Sequence, residues 1–339
     1  MKQANIAIVG ATGAVGECLL EILAERRFPV GRIHALASER SAGKTVLFGN
    51  KTVTVENLAD FDFSQVEIGL FSAGGAISAE YAPKAAEAGC VVVDNTSHFR
   101  NDADVPLVVT EVNPSCIADF RNRYIIANPN CSTMQMVVAL KPIHDAAGIS
   151  RISVATYQAV SGAGASAVAE LAGQTAELLN GRPAEAKVFP GQIAFNALPH
   201  IDRFMDNGYT REEMKMHWET RKILADDRIT VSATCVRIPV FYGHSEAVQI
   251  ETRQPISAAQ ARALLLDAPG VRVIDELEAN GYPTPVEHAA GADPVFVGRI
   301  RDDFSLENGI NLWIVADNIR KGAALNTVQI AEILLAEYL

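Results

Sequence analysis

Six residues of strand-forming composition, ANIAIV at 4–9, run straight into Gly10-Ala-Thr-Gly13-Ala-Val-Gly16 and then into the amphipathic stretch ECLLEILAERR. Strand, tight turn and helix follow one another with no room for a hairpin, so the next strand must return by a crossover. Further strand-like runs stand at 34–38 (HALAS), 67–73 (EIGLFSA), 90–96 (CVVVDNT) and 124–130 (YIIANPN), and AISAEYAPKAAEAG between the third and fourth has helical composition and period. Alternating strands and helices predict an α/β fold with an N-terminal, Rossmann-like, doubly wound parallel sheet. Ligands of such sheets bind beyond the carboxyl ends of the strands.

In the first turn the glycines permit a tight bend, close approach of backbone to a pyrophosphate and close helix packing. Their spacing is Gly-x-x-Gly-x-x-Gly rather than the commoner Gly-x-Gly-x-x-Gly. Similar turns occur where no nucleotide binds, but the placement directly after a strand favours a nucleotide. Ser38-Glu39-Arg40-Ser41 ends the second strand run. An acidic residue there suits the ribose of NAD and an arginine suits the 2′-phosphate of NADP. Both are present; the two serines and Arg40 favour NADP.

The length of 339 residues exceeds what one core usually fills, so two domains are expected. A formal net charge of −11 argues against nucleic acid or an anionic membrane as partner. No apolar run reaches membrane-spanning length, and the strand pattern begins almost at once, so no signal peptide and a cytoplasmic location are expected. Five cysteines, widely spaced and without a Cys-x-x-Cys pair, fit reduced thiols and no metal site.

One cysteine has unusual surroundings. Asn128-Pro129-Asn130-Cys131-Ser132-Thr133 ends a strand and opens a long apolar helix, with Asn130 placed as N-cap. Cys131 then lies in the first turn, where the helix dipole favours thiolate and the free N–H groups suit an oxyanion. Cys18, Cys90 and Cys235 read as core residues, and Cys116 has no evident role. A thiolate nucleophile needs an acid/base partner. Among seven histidines, His244 is best placed, in Gly243-His244-Ser245 after the run VSATCVRIPVFY; a hydrogen-bonded turn histidine is the duller reading. Arg237 lies seven residues earlier, an odd separation that an unbroken strand would put on the opposite face. Pro239 and Gly243 predict a bend or bulge that could bring both to one pocket. A buried arginine suits a substrate carboxylate or a structural acid. Glu212 and Lys215 share one face of the helix REEMKMHWETRKI, where Lys215 could equally pair with Glu219.

Together GATGAVG, SERSAGK, FSAGG, DNTSHFRND, ANPNCST, YQAVSGAG, EEMKMHWETRKI, CVRIPVFYGHSE and VADNIRKGAALNTVQIAE resemble the aspartate-semialdehyde dehydrogenases of bacterial type over almost the whole chain. The resemblance implies an NADP-dependent phosphorylating aldehyde dehydrogenase. It would reduce 4-phospho-L-aspartate to L-aspartate 4-semialdehyde through a Cys131 thioester, in lysine, threonine, methionine and diaminopimelate biosynthesis. It makes Cys131 the nucleophile, His244 the acid/base catalyst and Gln158 an orienting residue. Arg237 would hold the substrate carboxylate, Glu212 its amine, and Arg100, Asn101 and Lys215 phosphate. Cofactor contacts are implied at Gly10, Thr12, Gly13, Ala14, Val15, Gly16, Ser38, Arg40, Ser41, Ser72, Gly74, Gly75, Ser161, Gly162 and Asn318.

Residues 1–130 with 318–339 are expected to form the NADP-binding domain, the final helix packing back on it as in the family. Residues 131–317 are expected to form an α+β catalytic and dimerisation domain with a large mixed or antiparallel sheet. Its long strands, read at 229–252, 294–304 and 310–316, leave an open face that a homodimer covers in the family. The nearest alternative is an N-acetyl-glutamyl-phosphate reductase, whose acetylated substrate needs no partner such as Glu212. A glyceraldehyde-phosphate-type dehydrogenase, a Cys–His hydrolase and a non-catalytic homologue are further alternatives.

Overall fold

Burial on both faces explains the apolar composition of β1 (Ala4–Val9), the centre of the first sheet. After it come α1 (Ala14–Glu25), β2 (Val30–Ala37), β3 (Thr45–Phe48), β4 (Lys51–Asn57), β5 (Ile68–Phe71), α2 (Gly75–Glu87), β6 (Val91–Asp94) and β7 (Ile125–Ala127). The strand order is β3-β4-β2-β1-β5-β6-β7, parallel throughout except for β3, which runs antiparallel to β4. The chain winds outward from β1 on one side and resumes at β5 on the other, so the order switches between the carboxyl ends of β1 and β5. The computed structural model describes residues 2–339 and divides into two units, the chain through Asn130 with Ala323–Leu339, and Cys131–Gly322.

The β3–β4 hairpin is an addition to the predicted strands. Its turn contains Gly49 at φ +57°, and the flanking residues are half-exposed. The final helix centres on α7 (Asn326–Ile333), between wider turns at Arg320–Leu325 and Leu334–Tyr338. It packs on α1 and β6, with Arg26 paired to Glu332 at 2.7 Å and Asn326 Oδ1 accepting from Thr110 N at 3.0 Å.

The second unit opens with α3 (Cys131–Ala147) and β8 (Ile149–Gln158), then α4 (Ala165–Leu179), α5 (Arg211–Leu224), β9 (Thr230–Arg237), β10 (His244–Thr252), α6 (Ala258–Leu266), β11 (Val271–Val273), β12 (Val295–Asp302) and β13 (Gly309–Ala316). Six strands form a mixed sheet in the order β11-β12-β13-β10-β8-β9. The strands read within 229–252 are β9 and β10, which flank β8, and residues 238–243 carry the chain past its end. Along β8 buried residues alternate with half-exposed ones. Helices α3, α5 and α6 cover the buried face. The opposite face presents Tyr157, Ala247, Gln249, Asn311 and Trp313, partly exposed within the chain. Among the described residues no helix is long and apolar enough to cross a membrane.

Candidate active site

Three strand ends meet at one edge of the second sheet. Gln158, last in β8, is paired with Arg237, last in β9, and His244 opens β10 on the other side of β8. All three are almost fully buried. The predicted bend is therefore a crossing of the β8 end rather than a bulge. It turns on Gly243, whose φ of +88° favours glycine, and Asn318 Oδ1 accepts the Gly243 N–H at 2.9 Å. Asn318 also exchanges hydrogen bonds with Ser161 at 2.9 and 3.2 Å, so this buried pair braces the residue before His244. Both lie in the second unit.

Ala159 N–H donates to His244 Nδ1 at 3.0 Å, which places the proton of the neutral ring on Nε2. Among the described residues the buried Nε2 has no hydrogen-bond partner, and Gly162 lies against it, a Cβ there meeting Nε2 at 3.3 Å. Complete burial, with the Arg237 charge nearby, holds the imidazolium pKa down to about 3. The ring is thus neutral, with its donor at Nε2. Arg237 Nη1 donates to Ala159 O at 2.7 Å, and a Cβ on Gly162 would meet that nitrogen at 2.9 Å. A side chain at Gly162 would therefore have to displace Arg237 and crowd the His244 ring. Burial weakens the hold of Arg237 on its proton, and the nearby Glu212 carboxylate and Cys131 thiol offset part of that loss.

Cys131 is the first residue of α3, directly after Asn130. Gly322 packs against it so closely that a Cβ there would lie 2.7 Å from the Cys131 Cβ. Gly322 was not singled out from sequence, although Lys321-Gly322 ahead of a helical run signals a close backbone approach. Burial pushes the Cys90 thiol up to about 12 and raises Cys235 further, so both are inert core thiols, as their sequence settings indicated. Cys18 is likewise buried. Cys116, partly exposed, is also raised by burial.

Helix α5 starts with a full capping box, Thr210 with Glu213, which fixes the turn carrying Glu212. Glu212 Oε1 accepts from Gln158 Nε2 at 3.2 Å, and Oε2 from Lys215 at 2.9 Å. The second partner of Lys215 is Asp202 at 2.8 Å, not Glu219. Residues Ala163, Phe189, Pro190, His200, Asp202 and Arg237 line a cavity of about 210 Å³ beside this cluster. Phe189, His200 and Asp202 were missed because they belong to an irregular stretch whose course depends on tertiary bonds. Gln174 on α4 accepts from Ile193 N and Ala194 N, and Glu170 from Lys187 N at 2.8 Å and Phe189 N at 3.3 Å.

In the first unit the glycine turn joins β1 to α1. Gly10 has φ +90°, and a Cβ there would meet Ala73 N at 3.0 Å, so the turns after β1 and β5 touch. A Cβ on Gly16 would lie 2.2 Å from Gly10 O. No side chain caps α1. Thr12, Gly13, Ala14 and Val15 are at least partly accessible around its start. Ser72, Gly74 and Gly75 follow β5, and Ser72 Oγ donates to Val9 O at 3.3 Å. Ser38 and Arg40 are exposed just beyond β2, with Ser41 buried. These residues gather at the strand-order switch, where bare backbone and uncapped N–H groups fit a dinucleotide pyrophosphate. Arg100 follows β6, buried, with Nη2 donating to Asn95 O at 2.8 Å, and Asn101 beside it is exposed.

Residues 5–120 match the family model described as semialdehyde dehydrogenase, NAD binding domain, and residues 140–321 the one described as semialdehyde dehydrogenase, dimerisation domain. An aspartate-semialdehyde dehydrogenase of Legionella pneumophila is 64% identical, over 100% of this chain and 97% of its own length. A crystal structure of aspartate semialdehyde dehydrogenase II complexed with ASA, from Vibrio cholerae, superposes with a TM-score of 0.98 at 62% identity, covering 100% of both chains. The Candida albicans aspartate semialdehyde dehydrogenase with NADP gives 0.76 at 25% identity, covering 99% of both.

Proposed function

This chain belongs to the aspartate-semialdehyde dehydrogenase family, and from that premise we propose that it converts 4-phospho-L-aspartate and NADPH to L-aspartate 4-semialdehyde, NADP and phosphate through a thioester on Cys131. The convergence of Gln158, Arg237 and His244 at one sheet edge carries this reading. The Cys131 thiolate attacks the acyl phosphate carbonyl, the carbon–sulfur bond forms, and phosphate leaves with its bonding electron pair. NADPH, when bound, supplies the hydride that reduces the thioester. His244 Nε2–H donates to the oxygen that gains charge in each addition, acting as the acid of the site. Collapse of the second adduct returns the electron pair to sulfur and releases the aldehyde.

Arg237 is proposed to take the substrate carboxylate as a bidentate partner. Glu212 takes the ammonium, a role that disfavours an N-acetylated glutamyl substrate. Arg100, Asn101 and Lys215 are proposed for phosphate. Gln158, which donates to Glu212, orients the site. The glycine turn Gly10–Gly16, with Ser72, Gly74 and Gly75, is proposed to hold the pyrophosphate, and Ser38, Arg40 and Ser41 the 2′-phosphate. Ser161, Gly162 and Asn318 are proposed to border the nicotinamide. The expected boundary at 318 moves to the division between Gly322 and Ala323: Cys131–Gly322 is proposed to serve as the catalytic and dimerisation domain, and the chain through Asn130 with Ala323–Leu339 as the nucleotide domain. A homodimer formed through the open sheet face, a cytoplasmic location and a role in lysine, threonine, methionine and diaminopimelate biosynthesis complete the proposal.

Mass spectrometry of enzyme mixed with 4-phospho-L-aspartate in the absence of NADPH tests the chemistry. An aspartyl adduct on the Cys131 peptide is expected. Its absence, in protein that turns over, excludes the thioester.

A further inference from the structure

Residues 180–210, between α4 and α5, form no helix or strand. Backbone N–H groups in such a stretch need acceptors from elsewhere. One face of α4 supplies them, through Glu170 and Gln174 at i and i+4. Glu170 Oε2 accepts from Lys187 N and Val188 N, and Oε1 from Phe189 N at 3.3 Å. Gln174 Oε1 accepts from Ile193 N at 2.9 Å and Ala194 N at 3.1 Å. Its Nε2 donates to Glu185 O at 3.0 Å and to Glu170 Oε1 at 3.2 Å, which joins the two side chains. Together they clamp the backbone from Glu185 to Ala194.

Phe189 sits at the centre of the clamped stretch. It packs against the core of Val160, Ala167, Leu171, Ile193 and Ala194. It also lines the same cavity as Arg237, whose Cζ lies over the ring, 6.0 Å from its centre. An aromatic face attracts a guanidinium charge without consuming an N–H, so the donors stay available to a carboxylate. The ring also keeps water from that side of the charge, which strengthens its attraction for an anion. Lys187, Val188 and Pro190 around it are exposed within the chain, so sequence neighbours give Phe189 little packing support. The clamp supplies what they do not.

We propose that Glu170 is a positioning residue for the substrate carboxylate, acting through Phe189: it holds the 187–189 backbone, which holds the ring against Arg237. This rests on the reading of Arg237 given above. Neither Glu170 nor Gln174 lines the cavity, so the effect reaches the substrate only by way of the ring and the guanidinium.

Two measurements test it. In steady-state kinetics, Phe189→Ala should raise KM for aspartate 4-semialdehyde about tenfold, with kcat within about twofold and KM for NADP unchanged. Glu170→Ala should show the same pattern to a smaller extent. Glu170→Gln, which keeps one acceptor and serves should the alanine variant not fold, should fall between that variant and the parent. In a Phe189→Ala background, Glu170→Ala should have no further effect on KM, because it acts through the ring. Additive losses, or an unchanged KM in Glu170→Ala, would overturn the proposal. The second measurement needs no turnover: phenylglyoxal followed by peptide mapping should label Arg237 faster in Phe189→Ala and in Glu170→Ala than in the parent. Unchanged labelling in either variant would overturn the proposal as well. A parent enzyme inert towards aspartate 4-semialdehyde refutes the functional reading instead, and the labelling still decides whether Glu170 governs Arg237 through Phe189.

Discussion

At the scale of single residues, the chemistry depends on protons held in set places. His244 cannot take a second proton at Nδ1 without turning it against the Ala159 N–H that now donates there. Between the ordinary imidazole value of 6.5 and about 3, the unfolded chain binds a proton at this position and the folded chain does not. His244 therefore subtracts stability as pH falls through that window. In 15N NMR of the folded enzyme, the His244 nitrogens should keep the neutral, Nε2-protonated pattern down to about pH 4; an imidazolium signal at pH 6 would contradict this tautomer. His244→Asn should lower kcat by roughly 10²–10⁴-fold, the usual range for a general acid. Arg237→Lys keeps the charge but not the planar fork, so KM for aspartate 4-semialdehyde should rise well beyond any change in KM for NADP.

At the scale of elements, the capping box of α5 sets the helix turn on which Glu212 and Lys215 stand. Thr210→Ala should lower unfolding free energy by about 1 kcal/mol in a urea titration and raise KM at the same time. A stability loss without a change in KM would separate the cap from the site. The parts that sequence made legible are those specified locally. The glycine turn and β1–α1 follow from residues within about one turn of each other, as do the cysteine at the head of α3 and the Glu212–Lys215 spacing. The β3–β4 hairpin was also signalled, by Gly49-Asn50 between alternating residues, but its short half-exposed strands gave a weak period. Phe189, His200 and Asp202 were not legible, since distant side chains on α4 and a backbone in the left-handed region place them. The pairing of Arg237 with His244 was foreseen, but its cause was not. A third strand between them, rather than a bulge, aligns the two side chains.

At the scale of the whole molecule, the open face of the second sheet carries Tyr157 and Trp313 in contact, their rings 5.6 Å apart. A face with two half-exposed aromatics fits the matched dimerisation domain. Trp313→Glu should shift the protein from dimer towards monomer in sedimentation equilibrium, and a monomeric parent would remove that assignment. Arg40→Ala should weaken NADP much more than NAD in direct binding, since it removes only the proposed 2′-phosphate partner. The most direct test of the central claim follows reduced nicotinamide by absorbance with L-aspartate 4-semialdehyde, NADP and phosphate, in parent and Cys131→Ala enzymes. The account predicts rapid reduction that requires phosphate and vanishes in the variant. Reduction that persists without phosphate or in Cys131→Ala, or none at all in folded parent enzyme that binds NADP, would contradict it.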